Sequence, residues 1–138
     1  MALAHAQPLD VVSVRPLGAA LADAVSTSLL KTNHLQLLHL VLPDRHDVPE
    51  HRVADECVIH CLEGDVEVRL GLGTRRLGAG QLVVLPAGET HGLSARAPSA
   101  LLVTLRLHRG DAGDHGGTGA RALRAPDQAT PGAGASKA

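Results

Sequence analysis

The stretch Gly80-Gln81-Leu82-Val83-Val84-Leu85-Pro86-Ala87-Gly88-Glu89-Thr90-His91 constrains this chain more than any other. It reads G-x5-P-x-G-x2-H. Leu82 to Leu85 is an apolar run of the length of a buried strand. Pro86 then fixes φ and Gly88 accepts positive φ, so the chain must turn tightly. His91 follows where the next strand begins. A histidine delivered by a rigid turn at a strand end is held in one direction, as pocket residues and metal ligands commonly are.

The rest of the body also reads as short strands. Val66, Val68 and Leu70 alternate with Asp65, Glu67 and Arg69, a period of two with one wet face. Gly71-Leu72-Gly73 supplies a hairpin turn into Arg75-Arg76-Leu77. Leu101, Val103, Leu105 and Leu107 alternate with Leu102, Thr104, Arg106 and His108. Leu35 to Leu42 is apolar on both faces and is stopped by Pro43, which predicts a strand covered on two sides. Only Leu17 to Val25 leans helical, predicting a short N-terminal helix or an irregular arm. Many short strands joined by Gly/Pro turns point to an all-β sandwich or barrel. The expected organisation is a flexible start over residues 1–9, one domain over 10–109, and a Gly- and Ala-rich tail over 110–138. That tail holds Leu123 as its one large aliphatic residue, so it is predicted to be disordered.

A second segment, Pro49-Glu50-His51-Arg52-Val53-Ala54-Asp55-Glu56-Cys57-Val58-Ile59-His60-Cys61-Leu62-Glu63-Gly64, lies upstream. Together the two stretches resemble the paired motifs of the cupin superfamily, whose first motif is G-x5-H-x-H-x3,4-E-x6-G. Residues 65–79 form a spacer as short as that of small bacterial cupins. The resemblance covers roughly residues 26–108 and implies a cupin-type jelly-roll β-barrel. It implies no particular activity, because one fold hosts many functions.

Cupins with complete motifs hold a metal with three His and one Glu. Carried over position by position, the first His is His51 and the last is His91. Val53 stands at the second His position, and Cys57 stands at the Glu position. Arg45 replaces the leading glycine. Glu56 is one residue out of register, and in a strand one residue reverses the face. If Cys57 points inward, Ile59 and Cys61 do too; the opposite parity would bury Glu56 and His60, which would both need partners. A bulge after Val53 could still bring Glu56 inward.

Four arrangements stay open on these residues. His51, Glu56 and His91 could form a 2-His-1-carboxylate site for iron or a related divalent metal such as Mn, Ni or Zn. His51, Cys57 and His91 could form a softer site for zinc or copper. The two histidines could instead line a metal-free small-molecule pocket with Val53, Cys57 and Ile59. Or they could be structural residues only. The favoured reading is a binding module holding a small molecule in its barrel; the alternative is a metal-dependent dioxygenase or isomerase. A barrel serving only as a dimer scaffold is the third.

Composition narrows the partners. The chain has no Phe, Tyr or Trp, so no aromatic platform can stack nucleic-acid bases. The epimerases of cupin fold are known for a His/Tyr pair, which this chain cannot supply. A net charge of −1 gives no field toward nucleic acid or anionic membrane. No run approaches the ~20 apolar residues of a membrane span, and Met1 to Leu9 lacks the features of a secretion signal. Cys57 and Cys61, if in one strand, lie about 13 Å apart, beyond the roughly 7 Å limit for a disulfide. Reduced thiols fit a cytoplasmic protein. Oligomerisation as a homodimer is implied by the resemblance, with weak support from the two-sided strand at 35–42. The pairing of Gly71 and Gly73 is a hairpin turn rather than a phosphate loop, since no third glycine or helix follows.

Overall fold

A computed structural model describes residues 5–107; the tail expected over 110–138 lies outside the described residues. Nine strands follow a short 3₁₀ turn at Gly18–Asp23, which is the extent of helix in the stretch that leaned helical. They are β1 (Thr27–Lys31), β2 (Leu35–Leu42), β3 (Asp47–His51), β4 (Cys57–Glu63), β5 (Asp65–Leu70), β6 (Gly73–Gly78), β7 (Leu82–Leu85), β8 (His91–Ala95) and β9 (Ser99–Arg106). One sheet has the order β1-β2-β9-β4-β7 and the other β3-β8-β5-β6, all neighbours antiparallel. This is the jelly-roll architecture. The chain passes from sheet to sheet between β2 and β3, β3 and β4, β4 and β5, β6 and β7, β7 and β8, and β8 and β9.

The core is a sandwich of aliphatic and thiol side chains. Leu38, Leu40, Leu42, Cys57, Ile59, Cys61, Leu101, Val103 and Leu105 face Val48, Val66, Val68, Leu93 and Ala95. In β4 the buried set is Cys57, Ile59 and Cys61, with Val58 and His60 half-buried on the other side. Both cysteines are free thiols.

The outer faces differ. The four-stranded sheet carries ion pairs there: Arg76 with Asp65 at 2.5 Å and Arg96 with Glu67 at 2.6 Å. Exposed pairs of this kind contribute little stability, about 0–1 kcal/mol. The five-stranded sheet instead turns Leu37, Val41, Val58, Leu82, Val84 and Leu102 outward, at least partly exposed. Here the structure corrects one expectation. The run Leu82–Leu85 is an edge strand paired with β4 alone, so Leu85 is buried while Leu82 and Val84 are 54% and 55% exposed.

Arg45, at the position of the family's leading glycine, has φ +64, which explains why glycine suits that corner. Its N–H donates to Ala95 O at 3.0 Å, tying the corner to the end of β8, while His46 N–H donates to Pro43 O at 3.0 Å within the turn from β2 to β3.

Candidate functional site

His91 opens β8, and the turn before it is built as the sequence predicts. Gly88 has φ +77, and Glu89 N–H donates to Pro86 O at 3.2 Å. Gly88 N–H also donates to Val53 O at 3.1 Å, which ties this turn to the chain leaving β3. Val53 is buried in that connection, not in a strand.

His51 reaches the same place through a bulge. Val48 pairs with Leu93 and His51 with His91, so three steps along β3 match two along β8. Without the extra residue, His51 would alternate to the face opposite Val48. With it, both point inward. The rings of His51 and His91 lie 4.5 Å apart, centroid to centroid, tilted by 55°. Leu70 is the next residue in this row, paired with His91 from β5.

The chain between the sheets brings a second row opposite. Residues 52–56 lead from His51 to Cys57, and residues 86–90 lead from Leu85 to His91. Cys57 pairs with Leu85 and Leu105, and Leu105 pairs with Gln36. So Gln36, Leu105, Cys57 and Leu85 form the inner row of the five-stranded sheet at the histidine end. Ile59 is buried one row deeper, beside Val103. Of the residues singled out from the sequence, His51, Val53, Cys57 and His91 thus gather at one end, and Ile59 belongs to the core beneath them.

Glu56 is exposed, immediately before β4 begins. Its backbone N–H donates to Asp55 Oδ1 at 2.7 Å, and the buried Asp55 also meets Arg106 at 3.7 Å. The chain leaves β-structure over 52–56, and it is the pairing within β4 that turns Cys57 inward.

Both imidazoles have a backbone partner two residues back. His91 Nδ1 is 3.1 Å from Glu89 O, and His51 Nδ1 is 3.1 Å from Pro49 O. A carbonyl only accepts, so each Nδ1 carries the proton, and the neutral His91 ring presents its Nε2 as an acceptor. His91 is fully buried, and its Nε2 has no hydrogen-bond partner. Burial holds its pKa below the ordinary value, against the opposing pull of the Glu89 carbonyl and charge. Burial pushes the Cys57 thiol up to about 12, so it stays protonated.

This donor set does not fit the metal that complete cupin motifs imply. Two imidazole nitrogens converge, but Glu56 is exposed and Cys57 is a neutral thiol. Among the described residues no three His, Cys, Asp or Glu side chains group as a metal site. An iron-type triad and a tetrahedral zinc site both need at least a third protein donor.

Two residues near the site are not evident as such in the sequence. Gln36 is buried with its Oε1 unpartnered; the available signal is that it is the one polar residue on the inner parity of an otherwise leucine-filled strand. Arg69, which the sequence groups with Arg75 and Arg76 as a solvated charged face in preference to a rim for an anionic ligand, lies across β8. It bonds Asp47 at 2.9 Å, Val48 O at 3.1 Å and the Ser94 hydroxyl, and meets Glu50 at 3.6 Å. Gly92, paired opposite Arg69, leaves the space for it. The guanidinium thus clasps β3 to β5 on the outside of the bulge that aims His51.

The buried His91 has a pH consequence. Its folded-state pKa is depressed and its unfolded value is the ordinary 6.5. Between the two, the unfolded chain binds a proton that the folded chain refuses. Stability is therefore flat above 6.5 with respect to this group and falls as pH drops through that value. His39, also lowered by burial, acts in the same direction. The urea midpoint should decline from pH 7 to pH 5, roughly the ordinary histidine range, with a shallower slope in His91→Leu. A slope unchanged by that substitution would remove His91 as its source.

A family model described as a cupin domain matches residues 38–111, more than half of the chain. A cupin superfamily protein from Desulfitobacterium hafniense is similar in structure at 16% identity and TM-score 0.63, covering 75% of this chain and 100% of that one. A conserved protein of unknown function from Streptococcus pyogenes gives 21% identity and TM-score 0.61, covering 78% and 98%. An RmlC-like cupin from Methanocaldococcus jannaschii gives 22% and 0.54, covering 62% and 81%. At these identities the likeness concerns the fold. No curated protein matches this sequence.

Proposed function

The chain belongs to the cupin family, and on that premise we propose that it binds a small molecule at the histidine end of its barrel. The single observation carrying this reading is His91, fully buried with an unpartnered Nε2 beside a second imidazole. A buried polar atom without a partner costs about 1–3 kcal/mol. A binding site explains such a cost, since a ligand supplies the missing partner. Aliphatic and thiol side chains at the same end support it: Leu70 pairs with His91, Val53 is buried in the connection after His51, and Cys57 and Leu105 share the facing inner row, with Ile59 one row deeper.

The metal-dependent dioxygenase or isomerase reading has one observation in its favour. Both rings hold Nδ1 against a backbone carbonyl, which is how ligating histidines are commonly oriented. The missing third donor weighs against it. Thermal unfolding separates the two. A saturating ligand at a hundred times its Kd adds about 2.7 kcal/mol. Neutral metabolites should raise Tm, and His51→Ala and His91→Ala should each abolish the rise relative to their own baselines. A gain from Fe, Mn, Ni or Zn, lost in the same variants, would favour the enzyme instead.

A homodimer is part of the proposal. The apolar outer side of the five-stranded sheet, with Leu82 and Val84 half exposed, supports a second copy as its cover. A monomeric mass at micromolar concentration would remove it. Two buried free thiols support a cytoplasmic location. Among the described residues no helix is long and apolar enough to cross a membrane.

A further inference from the structure

Resting on the binding reading, the chemistry of the barrel end narrows what the ligand can be. Two buried polar atoms lack partners there, and both are acceptors. One is His91 Nε2, whose ring proton is committed to Glu89 O. The other is Gln36 Oε1, on the facing sheet. The Gln36 amide nitrogen donates to Ser28 Oγ at 3.0 Å, and that hydroxyl lies 2.8 Å from His5 Nε2. The chain of bonds leaves the amide oxygen as the free end. Gln36 shares its inner parity with Leu38, Leu40 and Leu42, so it belongs to the barrel side of β2.

No buried cation balances an anion. Among the described residues no Lys or Arg is buried, and the buried carboxylate, Asp55, is engaged by Arg106 and the Glu56 N–H. An ionised carboxylate or phosphate would meet two acceptor atoms and an aliphatic wall, and lose its hydration without compensation. A molecule with hydroxyl or N–H groups would satisfy both orphans. We propose that the ligand is a small neutral hydrogen-bond donor with two donating groups across an apolar middle, of the diol or hydroxy-amide class. One group donates to His91 Nε2 and the other to Gln36 Oε1. Entry runs past His51, half-buried on the bulged end of β3.

The test uses the full chain and three probes of one carbon skeleton: butanediol, its dimethyl ether, and succinate. Binding is followed by calorimetry and by heteronuclear NMR of the histidine ring nitrogens. The expected result is that butanediol moves the His91 Nε2 resonance toward its hydrogen-bonded position. It should also bind about tenfold or more tighter than the ether or succinate, a difference of at least ~1.4 kcal/mol. Gln36→Leu, which removes the second acceptor without touching the histidines, should reduce the advantage of butanediol over its dimethyl ether. Equal or tighter binding of the ether or succinate would overturn the class. So would a His91 Nε2 resonance already hydrogen-bonded in the free protein and unmoved by diol, the sign of a resident water. If none of the three binds but another metabolite raises Tm through His91, the class fails and the binding reading stands. If nothing binds in either experiment, both fall.

Discussion

Gly64→Ala is expected to destabilise the protein by about 3–5 kcal/mol, combining backbone strain with overpacking. Gly64 joins β4 to β5, the point where the chain leaves one sheet for the other. Its φ of +98 is a conformation that side chains resist. An added Cβ would also fall on Ser99 and on the Pro98 carbonyl, which is 2.5 Å from where it would sit. Neither neighbour can retreat. The Ser99 hydroxyl accepts from Asp65 N–H at 3.0 Å and donates to Ala97 O at 2.7 Å, and Arg96 N–H holds Asp65 O at 2.7 Å. For a small domain worth about 5–15 kcal/mol in all, this is a large fraction. Urea unfolding measures it directly; a loss below about 1 kcal/mol would show that the corner yields. Gly92 makes the contrast. A Cβ there would meet the Arg69 guanidinium, the mobile end of a long side chain. Gly92→Ala should therefore cost much less, through a displaced clasp and not a displaced backbone.

Gly64 also shows why motif positions were readable. It closes the first motif, and its backbone conformation admits little else. Gly88 is legible for the same reason, and so is the direction of His91 after the turn. The alternation at 65–70 and 101–107 is legible because each strand has one dry face and one wetter one.

What the sequence does not disclose is where a period of two breaks. The bulge between Val48 and His51 is what makes the first histidine meet the second; Pro49, with no N–H for a ladder, signals an edge strand or a bulge without saying which. The loss of strand over 52–56 is equally silent, and it is there that Glu56 ends up exposed. Burial of an edge depends on which strands pair, so Leu82 and Val84 read as core until β7 is found at the end of its sheet. Arg69 looks like any solvated cation until Gly92 is placed beside it by the β5–β8 register. These are tertiary facts, set by pairing between segments far apart in the chain.

Leu101→Ala should be the most damaging simple truncation in the core, at about 3 kcal/mol within a usual range of 2–5. Leu101 is fully buried at the middle of the five-stranded sheet, paired with Leu40 on one side and Cys61 on the other. The size of such losses depends on how far neighbours collapse into the space. Here they cannot go far. The core has no Phe, Tyr or Trp ring to swing, and Leu40 and Cys61, the partners of Leu101, are side chains on strands paired on both edges. Ile59→Val, one methylene smaller, should cost only about 1 kcal/mol. For a domain of this size the leucine truncation should lower Tm by roughly 15 °C. It should not alter ligand affinity in the folded fraction. Leu101 lies four residues along β9 from Leu105, about 13 Å from the histidine row. A substitution that lowers Tm and leaves the ligand-induced rise intact marks a core residue; His91→Ala should remove the rise itself. If Leu101→Ala abolished binding while the protein stayed folded, the two ends of the barrel would not be separable and the site would have to extend through the core.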